Sequence, residues 1–222
     1  NILLQLKLKQ QLVLLENLDR ETSSDVLNNL QDSPSILGDI VEQISTDRLS
    51  NAIEDMPQDD AADFVGLLDD EKAEALLEEL PEKDREELTN LLQYDEESAG
   101  GLMTPYVVAI RRDQTVAAAI KEIQKFVKKE GFELFYTAYV VDDYDHLIGT
   151  IGTTELLLAE RHKLIENLMN PEVVAVDQDL DQEEVARIAQ EYDLVVVPVI
   201  DKHLRLIGRI TLDDLVDVIV DE

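Results

Sequence analysis

Apolar residues recur every twelve positions along the first half of the chain: Ile44, Met56, Leu68, Leu80 and Leu92. After the middle three stand Pro57-Gln58-Asp59-Asp60, Asp69-Asp70-Glu71-Lys72 and Pro81-Glu82-Lys83-Asp84. Proline suits the first turn of a helix, and acids there meet the positive end of its dipole. Each start leads into apolar positions: Phe64, Val65 and Leu67, then Leu76 and Leu77, then Leu88 and Leu91. The pattern predicts short helices of about eight residues, each turning into the next. Helices that short are marginal alone, so neighbours must stack to bury their faces, as in a solenoid. Upstream, Ile2 to Leu18 is expected to form one longer helix, with Ser23-Ser24-Asp25 opening another.

The second half carries a duplication. Leu102-Met103-Thr104-Pro105 matches Leu168-Met169-Asn170-Pro171, and Val107-Val108-Ala109-Ile110 matches Val173-Val174-Ala175-Val176. Leu147-Ile148-Gly149-Thr150-Ile151 then matches Leu206-Ile207-Gly208-Arg209-Ile210. The spacing between matches shortens along the copies, so the first has an insertion around Lys128 to Phe135. Each copy reads β-α-β-β-α. The expected helices are Thr115 to Lys128 and Asp181 to Glu191, and the buried strands Tyr136 to Val141 and Leu194 to Ile200. Asp142 and Asp201 turn the chain into edge strands ending near Ile151 and Ile210, and last helices start at Thr153 and Leu212. Strands apolar throughout suit a covered sheet, so the two copies are expected to pair.

Charge changes this picture more than size does. The chain of 222 residues has 50 acids against 19 bases, a formal net charge of −31. Between Asp39 and Glu97 there are 21 acids and four bases, Arg48, Lys72, Lys83 and Arg85. Such a surface repels nucleic acid and attracts cations. A solubility surface and a salt-adapted composition are the plainer readings of the same charge. No Cys is present, which excludes disulfides, thiolate metal sites and a cysteine nucleophile. The longest apolar run, Leu194 to Ile200, is far short of the roughly 20 residues a membrane span needs. The first residue is Asn1 rather than Met, which predicts a piece of a longer protein. The three His are scattered, and neither a His-Glu-x-x-His motif nor a P-loop, nucleophile elbow or dinucleotide fingerprint is found. An enzyme is not expected.

The second half resembles a tandem CBS pair, through Leu-Met-x-Pro before each first strand, Val197-Pro198-Val199-Ile200-Asp201, and Gly208-Arg209-Ile210-Thr211-Leu212-Asp213-Asp214. From about residue 35 onward the chain is similar to the intracellular part of the MgtE family of magnesium channels, most specifically at the junction Tyr94 to Thr104. The resemblance implies an α+β fold: a right-handed superhelix of short helices over 1–98, then β-α-β-β-α CBS modules over 99–161 and 162–222. It also implies homodimerisation through the CBS modules, a cytoplasmic position, and a transmembrane channel domain beyond residue 222. Regulatory Mg²⁺ would bind between the helical domain and the CBS pair, and near the membrane-side helix.

Mg²⁺ prefers octahedral oxygen coordination with retained waters, so one or two carboxylates per ion suffice. The junction offers Asp95, Glu96 and Glu97. By motif position Glu183 and Asp193 resemble family metal ligands, although they lie at opposite ends of one helix. Asp214 and Asp217 match further acidic positions of the family. Helix-end charge is the competing reading for each. Thr211 and Asp214 also suit a nucleotide ribose, so ATP or another adenine nucleotide is a second expected ligand. The first copy has Gly152 and Glu155 at those places, leaving at most one well-equipped adenosine site. Asp177 to Asp181 starts like an EF-hand loop but has Gln182 and Ile188 where Gly and Glu are required, so Asp181 is read as a helix cap. The leading function is a Mg²⁺-sensing region that gates a pore by compaction. The alternatives are a nucleotide-responsive CBS regulator whose acidic domain recruits a partner, and an acidic scaffold.

Overall fold

The computed structural model describes residues 6–30, 33–130 and 136–220, without the side chains of Pro34, Ser35, Asp70, Lys129, Glu130, Asp217, Ile219 and Val220. Two compact units divide the chain, Asn1–Tyr94 and Asp95–Glu222.

The first unit is a series of short helices: α1 (Leu8–Asn17), α2 (Arg20–Asn28), α3 (Pro34–Val41), α4 (Thr46–Ile53), α5 (Gln58–Gly66), α6 (Asp70–Glu79) and α7 (Glu82–Leu91). The last three begin where the Pro and Asp signals place them. Packing runs mostly between a helix and the one two places on, with α1 on α3, α2 on α4, α4 on α6 and α5 on α7. This is how eight- to ten-residue helices hide their apolar faces. Phe64, Leu76 and Leu88, at twelve-residue spacing, are all buried, whereas Leu92 of the marker series is exposed.

Two expectations at the amino end are corrected. The first helix starts at Leu8, not Ile2, although residues 1–5 lie outside the described ones. The second opens at Asp19, not at Ser23-Ser24-Asp25. Asp19 accepts the Thr22 amide at 2.9 Å and the Thr22 hydroxyl at 3.0 Å, while Ser23 and Ser24 are buried inside α2. An acid that takes the orphan amides of a first turn outcompetes two serines a turn later. Asp19→Ala should therefore cost about 1 kcal/mol, a fall in melting temperature of roughly 2–4 °C, readable by circular dichroism.

The second unit holds two three-stranded sheets. The first module comprises β1 (Ala109–Arg111), α8 (Val116–Glu130), β2 (Thr137–Val141), β3 (Leu147–Gly152) and α9 (Thr153–Leu158). The second comprises β4 (Val176–Asp177), α10 (Gln182–Glu191), β5 (Val196–Ile200), β6 (Leu206–Thr211) and α11 (Leu212–Val220). In each the central strand pairs parallel with the first and antiparallel with the last. Asp142 accepts the amides of Tyr144 and His146, and Asp201 those of His203 and Arg205, so the predicted Asp turns are present.

The first strand of each copy is short, and residues before it cross to the other copy. Thr104 exchanges backbone hydrogen bonds with Arg209 of β6, and Asn170 exchanges them with Thr150 of β3. Glycine on each edge strand makes room for the crossing: a Cβ at Gly208 would lie 2.5 Å from Met103 Sδ, and one at Gly149 2.8 Å from Met169 Sδ. The repeated Met and the repeated Gly are two halves of one reciprocal contact. Between the turns, Leu147 donates to the Leu204 carbonyl and Leu206 to that of Asp145. The copies are thus laced together by backbone as well as by apolar faces.

Candidate functional site

The crossing segments leave a cleft on each side of the CBS pair. The first, of about 330 Å³, is lined by Val108, Tyr136, Thr137, Tyr139, Val195, Val196, Arg209, Thr211, Leu212 and Asp213. The second, of about 360 Å³, is lined by Thr150, Asn170, Glu172, Val174, Tyr192, Asp193 and Pro198 among others, and shares Tyr136, Thr137, Tyr139, Val195 and Val196 with the first. Below they are the Arg209 cleft and the Glu172 cleft. Strands β2 and β5 form the shared wall, since their first residues open toward both sides. Burial pushes the Tyr139 hydroxyl up to about 12, with Arg209 nearby opposing the shift, so this phenol is neutral at any physiological pH.

At the Arg209 cleft, Thr211 belongs to the wall. The carboxylate beside it is Asp213 rather than Asp214. Asp214 Oδ2 instead accepts the Thr211 amide at 2.9 Å and the Thr211 hydroxyl at 2.6 Å, a capping arrangement at the start of α11. The Thr211 hydroxyl also reaches Asp213. Arg209 donates through Nε to the Tyr106 carbonyl at 2.9 Å, which fixes its position at the cleft. Arg209, Asp213 and the shared tyrosines were not singled out in the sequence; the Gly-x-x-Thr-x-x-Asp pattern contains two of them without saying which way they point.

The junction acids lie against the second module. Ala99 donates to the Leu180 carbonyl at 2.7 Å, Gly100 to that of Gln178 at 2.8 Å, and Gln182 to that of Glu97 at 2.9 Å. Glu97 is thus brought beside the first turn of α10, where Glu183 stands. Asp95 Oδ1 accepts the Glu97 amide at 3.0 Å, and the Ser98 hydroxyl donates to the Asp95 carbonyl at 2.7 Å. Asp181 caps α10 as expected, accepting the Glu183 amide at 3.0 Å. The neighbouring Glu184 carboxylate is held below its usual range by Arg187, whose guanidinium it binds. Asp95, Glu97 and Glu183 are all exposed. Asp193 is at the far end of α10, at φ 51°, and lines the Glu172 cleft. It is not brought to Glu183. The Asp217 side chain lies outside the described residues. Among the described residues no group of three or more His, Asp or Glu is arranged to hold a metal ion.

In the first unit three bases serve helix ends, while Arg20 pairs with Glu54 and Asp55, and Lys83 with Glu87. Arg48 Nη2 donates to the carbonyls of Leu15 and Leu18, Lys72 Nζ to that of Val41, and Arg85 Nη2 to those of Glu78 and Leu80. A cation there satisfies carbonyls that have no partner in the helix and meets the negative end of its dipole. Three of the four bases in the acidic stretch are so engaged. No helix of the described residues is long and apolar enough to cross a membrane.

The comparisons agree with this architecture. Residues 1–97 match the family described as MgtE intracellular N domain, and residues 99–162 and 165–221 match the CBS domain. Magnesium transporter MgtE of Thermus thermophilus is 38% identical over 177 residues, which are 79% of this chain and 36% of that protein. The chain spans 30–40% of the length of the curated MgtE relatives it matches. The solved cytosolic domain of the Mg²⁺ channel MgtE in complex with ATP is 34% identical with a TM-score of 0.88, over 96% of this chain and 86% of that one. The soluble part of a magnesium transporter is 29% identical with a TM-score of 0.77, over 99% and 90%. With an MgtE N domain followed by two interlocked CBS modules, the chain belongs to the MgtE family and corresponds to its cytosolic region.

Proposed function

We propose that the chain senses Mg²⁺ on the cytoplasmic side of a membrane and regulates a magnesium channel or transporter whose pore lies in another part of the protein. The observation that carries this reading is family membership over nearly the whole chain, joined to an acidic surface on which 50 acids outnumber 19 bases. Unit charges 4 Å apart interact by about 4 kcal/mol at an effective dielectric of 20, so bound divalent ions relieve a repulsion built into the fold. Asp95, Glu97, Glu183, Asp193, Asp214 and Asp217 are the carboxylates proposed to hold them. Mg²⁺ bound better by a compact state shifts the population toward it, and α11 carries the change onward. Calorimetric titration of the chain with MgCl₂ tests this directly: heat no different from that of matched NaCl would leave only an acidic scaffold.

A second reading rests on the Arg209 cleft. Valines and tyrosines suit a flat base, Thr211 and Asp213 suit a ribose, and Arg209 suits phosphate. An adenine nucleotide is the ligand of that description, and ATP is bound in the similar channel domain. Titration of the same sample with ATP separates the two readings, and both can hold.

We further propose that the CBS pair dimerises. Leu157 and Leu158 are 64% and 82% exposed, beside an apolar hollow of about 420 Å³ lined by Ile120, Ile123, Val127 and Leu156. Residues 95–222 should sediment as a dimer at micromolar concentration, and Leu158→Glu should shift them toward monomer. A monomer in both cases removes the proposed interface.

A further inference from the structure

Charge is spread unevenly over the chain. Residues 1–98 hold 26 acids and seven bases, and residues 164–222 hold 15 and four, but residues 99–163 hold nine and eight. Within that middle stretch Lys121, Lys125 and Lys128 occupy i, i+4 and i+7 positions of α8, so they share one face. It is opposite the buried face formed by Val116, Ala119, Ile120 and Ile123, and all three lysines are exposed. The carbonyls of Arg161 and Lys163 accept the Ala117 and Val116 amides at 3.0 and 2.9 Å, which brings two more exposed cations to the amino end of the same helix. Among the described residues none of these five side chains has an ion pair or a hydrogen bond. Two acids of the same segments are occupied: Glu122 accepts from Gln114 at 2.5 Å, and Glu160 pairs with His162 at 3.4 Å. The sister helix differs. By the duplication, α10 has Arg187 and Glu191 where α8 has Lys121 and Lys125, and Glu183 and Glu184 for Ala117 and Ala118. Its one cation is held by Glu184 and Glu191. One helix of the pair neutralises its own charge, and the other leaves a cationic stripe open.

We propose that this face of α8 docks on the anionic phospholipid headgroups of the membrane; the proposal rests on the reading that the pore-bearing remainder of the protein lies in that membrane. Screening over about 8 Å at physiological ionic strength lets a stripe roughly 10 Å long act on a nearby leaflet while acids farther away are largely masked. Each Lys or Arg at an anionic leaflet strengthens attachment roughly fivefold. A few such cations make a weak contact for a free domain and an adequate one for a domain tethered to the bilayer. Lys121 and Lys125 are not among the residues lining the hollow between α8 and α9, so docking leaves the proposed dimer surface free.

The test is co-sedimentation of the full chain with vesicles of phosphatidylcholine and phosphatidylglycerol in equal parts, and with vesicles of phosphatidylcholine alone, in Mg²⁺-free buffer of about 50 mM NaCl. Binding to the first and not the second is expected, and it should be lost at about 300 mM NaCl. Lys121→Gln with Lys125→Gln should weaken it by roughly tenfold or more, with no change in melting temperature, sedimentation state or heat of Mg²⁺ binding. Lys7→Gln with Lys9→Gln, at exposed cations of the acidic unit, should leave it unchanged. No binding, equal binding to both vesicles, binding that persists at high salt, or equal loss with the two lysine pairs would overturn the proposal. Low-salt association of chains with one another that disappears with Lys121→Gln and Lys125→Gln, without vesicle binding, would assign the stripe to the acidic surface of a second copy instead. Absence of Mg²⁺ heat with vesicle binding intact would count against the sensing reading alone.

Discussion

Ten millimolar MgCl₂ should raise the melting temperature of this chain far more than NaCl of equal ionic strength, and should reduce its radius of gyration. Screening depends on ionic strength alone, so the two salts are equivalent unless sites exist. A site at a hundredfold excess over its Kd adds about 2.7 kcal/mol. At roughly 2–4 °C per kcal/mol for a chain of this size, that is roughly 5–11 °C for one site. The net charge of −17 between Asp39 and Glu97 sets the baseline that Mg²⁺ relieves. Asp95→Asn, Glu183→Gln, Asp193→Asn, Asp214→Asn and Asp217→Asn combined should leave a molecule whose radius, by small-angle scattering, ignores Mg²⁺. Equal melting shifts with both salts would support the scaffold. A radius unchanged in the wild type would remove compaction while leaving the family untouched. Asp214→Asn keeps one acceptor oxygen for Thr211, so its cap survives the loss of charge.

Punctuation and repetition were legible in the sequence; side-chain direction was not. Pro57, Asp69 and Pro81 fix helix starts by local chemistry, and the structure has helices at Gln58, Asp70 and Glu82. The duplicated Met and Gly motifs showed two modules, but not that each Met lies on the other copy's Gly, because a repeat shows that two copies exist and not which parts of them touch. Asp19 and Ser23 are both acceptable caps by type; which one wins is decided by Ser23 and Ser24 packing into the α2 core face. At the candidate site, the first-turn acids of α11 were visible, yet the sequence did not say that Asp214 faces back to Thr211 while Asp213 faces the cleft.

The last and largest local effect is expected at Gly101. As a sequence, Gly100-Gly101 is a hinge, since paired glycines permit wide backbone freedom. The structure uses them otherwise. Gly100 is buried and tied to Gln178, and a Cβ on Gly101 would press on the Asp95 carbonyl oxygen and stand 2.8 Å from Glu96 Cα and its carbonyl oxygen. Those neighbours are backbone and cannot rotate away. Glycine is needed here for close approach, and the segment Asp95 to Gly101 belongs to the second unit as a packed turn. Gly101→Val should therefore expel the turn from the Gln178–Gln182 edge, breaking the bonds from Ala99, Gly100 and Gln182 together. Overpacking alone costs about 1–3 kcal/mol and sometimes more, and each lost hydrogen bond adds about 1 kcal/mol. Hydrogen exchange should show the amides of Ala99, Gly100 and Gln182 losing protection while those of β2 and β5 keep theirs. If Glu97 is held beside Glu183 to serve a shared ion, the same variant should lose much of its Mg²⁺ stabilisation with every carboxylate still present. Full retention of that stabilisation, with the three amides exchanging freely, would show that the ion does not need this turn and would remove Asp95 and Glu97 from the proposed set.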